Sequence, residues 1–194
     1  HYYEKDHDEE KLIEDIKRNA DELGNTQIVH KYQTVFDTWP EVRHDLLRIL
    51  KVLENEDWQN NSILNDIRKI MTNVVNYFYD KGLCGVQHDG SNLGQCSKDI
   101  CQPYKEEIIP VYIQRSIHSL VAITNPGSHR TVTDDDVAKG TAPYLLRSLI
   151  FEMLNVLYWC RKMSHIEKNL VLAAIELAKN RYEQEREARI NNNN

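Results

Sequence analysis

Pro143-Tyr144-Leu145-Leu146-Arg147-Ser148-Leu149-Ile150-Phe151-Glu152-Met153-Leu154-Asn155-Val156-Leu157-Tyr158-Trp159-Cys160 is the stretch that decides the fold class. Pro143 suits the first turn of a helix, where its missing N–H costs nothing. The residues behind it leave almost no polar face at helical spacing. A helix that is apolar all round belongs in the middle of a bundle. The stretch therefore predicts an all-α protein, with this helix at its centre.

Working outward, Ser164 is expected to cap a last helix that buries Ile166, Leu170, Ala173, Ala174, Leu177 and Ala178, and whose charged end, Arg181 to Ile190, projects into solvent. On the other side a helix is expected from Glu106 to Thr124, with Ile109, Ile113, Ile117, Leu120 and Val121 turned to the core. Arg115, His118 and Ala122 share another of its faces. Asn60 or Asn61 is expected to cap a helix with a wide apolar face from Ile63 to Phe78, ended by Lys81-Gly82. Arg68 interrupts its apolar row Leu64, Arg68, Met71, Val75, so it needs a partner, either an internal carboxylate or an anionic ligand. Further upstream, Leu12, Ile13, Ile16, Ala20 and Leu23 predict a helix stopped by Gly24, and Ile28 to Trp39 a second one. Thr38-Trp39-Pro40-Glu41 reads as a capping box opening a third, which buries Val42, Leu46, Ile49, Leu50 and Leu53. No stretch reads as a strand. The expected organisation is an N-terminal helical appendage over 1–57, a bundle over 58–190 and a disordered tail over 191–194.

The charge is uneven. The formal net charge is −6, and residues 1–60 carry 15 acidic against 8 basic side chains. An acidic chain is a poor non-specific nucleic-acid binder, which leaves room only for a local site. No apolar run approaches the length of a membrane span, so no membrane association is expected. The four cysteines, without a secretory signal, read as free thiols of the cytoplasm. The start at His1, without Met, reads as a trimmed chain or part of a longer protein.

Two places carry candidate chemistry. The stretch of residues 82–105 reads as a loop with one short helix around Ser97–Cys101, and it holds Cys84, His88, Cys96 and Cys101, a donor set of the right types for tetrahedral zinc but without the close Cys pair of familiar zinc sites. Small core thiols are the alternative reading, and no metal or other cofactor is expected. The second place is the turn Thr124-Asn125-Pro126-Gly127-Ser128-His129-Arg130. Pro and Gly break the helix there. A His just beyond is sterically free to move a proton, Asn125 can both donate and accept, and Arg130 can hold a phosphate. The plain alternative is a capping turn with His129 in solvent.

The order of these parts resembles a known superfamily. A helix carries an early Arg in Asn65-Asp66-Ile67-Arg68-Lys69-Ile70 and ends in Tyr79-Asp80-Lys81-Gly82-Leu83. A loop follows, then a helix closing in Ile123-Thr124-Asn125-Pro126-Gly127-Ser128-His129, then the apolar stretch 143–160. Over residues 61–162 this is similar to the HEPN (higher eukaryotes and prokaryotes nucleotide-binding) superfamily, an all-α bundle. Residues 1–57 then count as additional N-terminal helices.

The resemblance implies a metal-independent endoribonuclease of a phage-defence or toxin–antitoxin system, acting on RNA as a homodimer. The family hallmark is an Arg, often followed by a polar residue, with a His a few residues beyond. Asn125 and His129 match the polar residue and the His, whereas Ala122, Ile123 and Thr124 stand where the Arg is expected. In that reading His129, Asn125 and Arg130 are catalytic. Ser128, Arg115, His118 and Arg68 then bind substrate. The alternatives are a non-catalytic HEPN-like module that binds a nucleotide, RNA or a protein partner, including a missing domain, and an unrelated helical interaction domain.

Overall fold

A computed structural model describes residues 18, 22–56, 63–124 and 142–192. Every regular element among them is helical, as the sequence predicts. Residues 22–31 are helical (α1) and are followed by α2 (Gln33–Thr38), a 3₁₀ turn at Pro40–Val42, α3 (Arg43–Asn55) and α4 (Ile63–Asp80). Then come α5 (Leu93–Ile100), a 3₁₀ turn at Pro103–Lys105, α6 (Val111–Thr124), α7 (Ala142–Met163) and α8 (Lys168–Asn192). None is long and apolar enough to cross a membrane.

The helix at the centre is α4, which packs against α3, α5, α6 and α7. Its wide stripe buries Ile63, Ile67, Ile70, Met71, Val74, Val75 and Phe78. Each such side chain contributes about 1.5–3 kcal/mol on leaving water. The helices before residue 57 belong to the same core, since Ile28, Phe36, Trp39, Leu46 and Ile49 join one apolar cluster with α4, α6 and α7.

The expectation for residues 143–160 needs correction. α7 lies at the surface: Leu146, Leu149, Ile150, Met153, Val156, Leu157 and Cys160 are buried, while Tyr144, Phe151 and Tyr158 are 81%, 46% and 51% exposed. Those three aromatics recur every seven residues and so stay on one stripe. Arg147 lies over the Phe151 ring at 6.0 Å and Lys162 over the Tyr158 ring at 4.9 Å. Cations over ring faces make such a stripe tolerable in water.

Several local expectations also give way. Helix runs through Gly24 rather than stopping there, and Leu23 is exposed. Thr38 ends α2, with its hydroxyl donating back to the Thr34 carbonyl, and so caps nothing ahead of it. α6 starts at Val111, because Pro110 cannot donate to a preceding turn and biases the residue before it out of the helical region. Ser164 closes α7 instead of opening α8, donating to the Arg161 carbonyl at 2.6 Å. The core face of α8 is Val171 and Ala178, with Ile175 packed against the core, whereas Leu170 and Leu177 face solvent. α8 continues helical through Asn191 and Asn192. The expectations for Leu12, Ile13, Ile16 and Ala20, and for a cap at Asn60 or Asn61, fall outside the described residues.

Gly82 fixes the way α8 returns to the bundle. It terminates α4 with φ +77°, and the Leu83 and Cys84 amides both donate to the Phe78 carbonyl. A Cβ at this position would meet Leu172 Cδ2 at 2.8 Å. The expected result for Gly82→Ala is a loss of about 1–2 kcal/mol from the left-handed backbone alone, with α8 loosened by displacement of Leu172. Proteolysis should then cut α8 faster than in the parent protein. An unchanged melting temperature and cleavage pattern would refute this.

Candidate nucleic-acid site

The Asn125–Arg130 turn, with Asn125, Ser128, His129 and Arg130, lies outside the described residues. What is described is the end of the helix that delivers it. Thr124 is the last residue of α6. Its hydroxyl folds back to the Leu120 carbonyl at 2.7 Å, the local bond that a Thr near a helix end readily makes. Its own carbonyl accepts from Arg68 Nη1 at 3.3 Å. A cation at the C-terminus of a helix satisfies an orphan carbonyl and opposes the helix dipole. The half-buried guanidinium on α4 thus stands one residue before Asn125. Among the described residues its partner is this carbonyl rather than the internal carboxylate that the sequence suggested.

Arg115 and His118 are brought together on the outer face of α6. They line a hollow of about 680 Å³ with Cys101, Glu106, Val111 and Gln114, among others. A second hollow of about 350 Å³, lined by Asn92, Gln95, Ser97 and Lys98 among others, meets the first at His118 and Ala122. Arg68 reaches the end of α6 and lines neither. Arg147 faces solvent beside Phe151.

The short helix expected around Ser97–Cys101 begins earlier, at Leu93, and sequence reasoning missed Gln95 and Lys98 on its outer side. α5 buries Leu93, Cys96, Ser97 and Ile100, which turns Gln95 and Lys98 outward. That short pattern was legible in principle, but it is masked by the glycines and polar residues of the surrounding loop.

The four candidate zinc ligands do not converge. The Cys84 and Cys96 thiols donate to the Val86 carbonyl at 3.1 and 3.5 Å, and the Cys101 thiol donates to the Gln114 carbonyl at 3.2 Å. His88 Nδ1 is 2.9 Å from Asn92 Oδ1. Burial pushes the Cys84 thiol up to about 12 and raises those of Cys96 and Cys101. Cys84 and Cys96 are part of the apolar core, while Cys101 is half-buried. Among the described residues no three His, Cys, Asp or Glu side chains are grouped to share a metal ion.

The wall that carries α5 is held by a buried amine. Lys105 is 3% exposed, with Nζ 2.7 Å from Asp99 Oδ2 and 3.1 Å from the Leu83 carbonyl. Asp99 Oδ2 also accepts from the Gly85 amide at 2.7 Å. These bonds tie the end of α4 to α5 and to the 3₁₀ turn before α6.

Comparison with family models, curated proteins and solved structures finds no match to this chain.

Proposed function

We propose that this chain is a HEPN-like helical module that binds RNA and cleaves it by transesterification, with Arg68 supplying the positive charge that the motif lacks at positions 122–124. The observation that carries this reading is the Arg68 guanidinium at the Thr124 carbonyl, where the chain leaves α6 for Asn125. One guanidinium bond is spent on that carbonyl, and an Arg has five donors.

In this reading the RNA 2′-oxygen attacks the adjacent phosphorus and the bond to the 5′-oxygen breaks. The 2′-hydroxyl proton passes to His129, and the leaving 5′-oxygen takes a proton in turn. The products are a 2′,3′-cyclic phosphate and a 5′-hydroxyl. Asn125 orients the phosphate, and Arg68, with Arg130 beside the His, opposes the charge that builds on the phosphorane. A homodimer with the two motifs facing each other is part of the same proposal. A non-catalytic module that binds RNA, a nucleotide or a protein partner is the second reading, favoured by Ala122, Ile123 and Thr124 in place of the motif Arg. The deciding experiment is RNA cleavage in EDTA by the chain and by its His129→Ala form, with the product ends analysed.

A further inference from the structure

α8 touches the rest of the molecule along one narrow seam. Of its described side chains only Val171 and Ala178 are buried, with Ile175 packed beside them. A second apolar stripe runs along the helix next to that seam. Leu170, Ala173, Ala174 and Leu177 follow helical spacing and are all exposed, Leu170 by 63% and Leu177 by 59%. A contiguous apolar stripe rimmed by charges marks a protein contact, whereas leucines scattered singly over a surface do not.

The order along the stripe is symmetric: large, small, small, large. Laid antiparallel on a copy of itself, about a two-fold axis between Ala173 and Ala174, each Leu170 meets the Leu177 of the other copy and the alanines meet at the axis. Small residues at the crossing let two helix axes approach to about 8 Å. The charges follow the same symmetry. Glu167, Ala174 and Arg181 are spaced by seven and share one edge of the stripe. The two-fold axis sets that edge against the same edge of the copy, so Glu167 of each chain comes beside Arg181 of the other. Among the described residues Glu167 has no cation within ion-pair distance. Arg181 holds Glu107 at 2.7 Å, but its side chain is 52% exposed and a guanidinium keeps donors to spare. A parallel pair leaves Glu167 and Arg181 about 21 Å apart along the helix.

We propose that this stripe is the contact for a second copy of the chain, in a two-fold antiparallel pairing of α8 with α8. A foreign helix covers the two leucines equally well, but only a copy returns the same symmetric order with Glu167 and Arg181 exchanged between its ends. Two helices touching over about four turns cover less than the roughly 800 Å² per partner of a standard interface, so the dissociation constant is on the order of 100 μM. The proposal does not rest on the ribonuclease reading. α8 packs on the 3₁₀ turn ahead of α6, whereas Asn125 follows the far end of that helix, about 21 Å on. The contact is therefore distinct from a dimer of facing motifs.

The test is sedimentation velocity of the whole chain from about 10 μM to about 1 mM, a range that brackets the expected constant. The parent protein is expected to pass from monomer to dimer. Leu170→Glu and Leu177→Glu each set a carboxylate against an apolar residue of the copy and are expected to leave monomer throughout. Both side chains are exposed, so the melting temperature of dilute protein should stay put. Glu167→Arg is expected to weaken association by about fivefold, the range for losing two exposed ion pairs, and Arg181→Glu added to it should restore the parent's affinity. Monomer at every concentration of the parent overturns the proposal. A dimer indifferent to both leucine variants also overturns it and leaves the facing motifs as the contact. A loss by Glu167→Arg that Arg181→Glu deepens overturns the antiparallel register. Should a leucine variant unfold, the charge exchange alone decides.

Discussion

Lys105→Met is expected to cost about 3 kcal/mol of folding stability, at the low end for breaking a buried ion pair because Asp99 keeps some contact with water. The substitution keeps the aliphatic stem and removes the charge. It leaves Asp99 Oδ2 and the Leu83 carbonyl facing an apolar tip in a site where Lys105 is 3% exposed. At about 2–4 °C per kcal/mol for a chain of this size, the melting temperature should fall by about 6–12 °C. The double variant Lys105→Met, Asp99→Asn should recover part of the loss, since it no longer leaves a stranded carboxylate.

The effect has a pH signature. Burial pushes the Asp99 carboxyl up, but the Lys105 ammonium and the Gly85 N–H override that and hold it below its ordinary value. A depressed carboxyl contributes stability that is fully present above its unfolded pKa, near 4, and is lost as pH falls through the lower folded value. The gap between parent and variant should therefore be widest at neutral pH and shrink below about pH 4. A melting temperature insensitive to Lys105→Met at pH 7 would sink this account.

The parts of this fold that were legible from sequence are those with one clear apolar stripe. α3, α4 and α6 bury the residues that their spacing predicts, among them Leu46, Ile49 and Leu50, then Ile67, Ile70 and Val74, then Ile113, Ile117 and Leu120. α8 carries two overlapping stripes, Leu170, Ala174, Leu177 and Val171, Ile175, Ala178, and only tertiary contact with Gly82 and the 3₁₀ turn at Pro103–Lys105 chooses between them. The surface position of α7 is hidden in the sequence because aromatics count as apolar in a pattern, whereas Tyr144, Phe151 and Tyr158 are stable at a surface with polar atoms or cations beside them. Arg68 stands out in the sequence as a charge on an apolar face. Its partner was not foreseeable, because a helix end 56 residues away is set by packing rather than by local spacing. The same holds for the two hollows that meet at His118: Arg115 and His118 share a helix face by sequence, but Lys98 joins them only through the α5–α6 contact.

His129→Ala is expected to abolish RNA cleavage in EDTA, a loss of about 10²–10⁴-fold, the range that a positioned general acid or base supplies. Arg68→Ala is expected to lower cleavage by about 10²–10³-fold, the range for removing one donor from a developing oxyanion. It also removes the bond to the Thr124 carbonyl, which costs about 1–2 kcal/mol of stability, so lost activity alone would not separate a chemical role from a supporting one. Arg68→Lys separates them. Lysine keeps the charge and can still reach a helix-end carbonyl, but it lacks the fork that spans a carbonyl and a phosphate at once. A supporting role predicts that Arg68→Lys restores both stability and cleavage. A direct role predicts restored stability with cleavage still depressed, and a rate that falls without a matching change in RNA affinity. Parent protein that cleaves nothing, over varied single-stranded RNAs and a wide range of protein concentration, would end the enzyme reading and leave Arg68 as the structural cap of α6. Cleavage that survives His129→Ala would move the chemistry away from the turn and make Arg68 at the Thr124 carbonyl irrelevant to it.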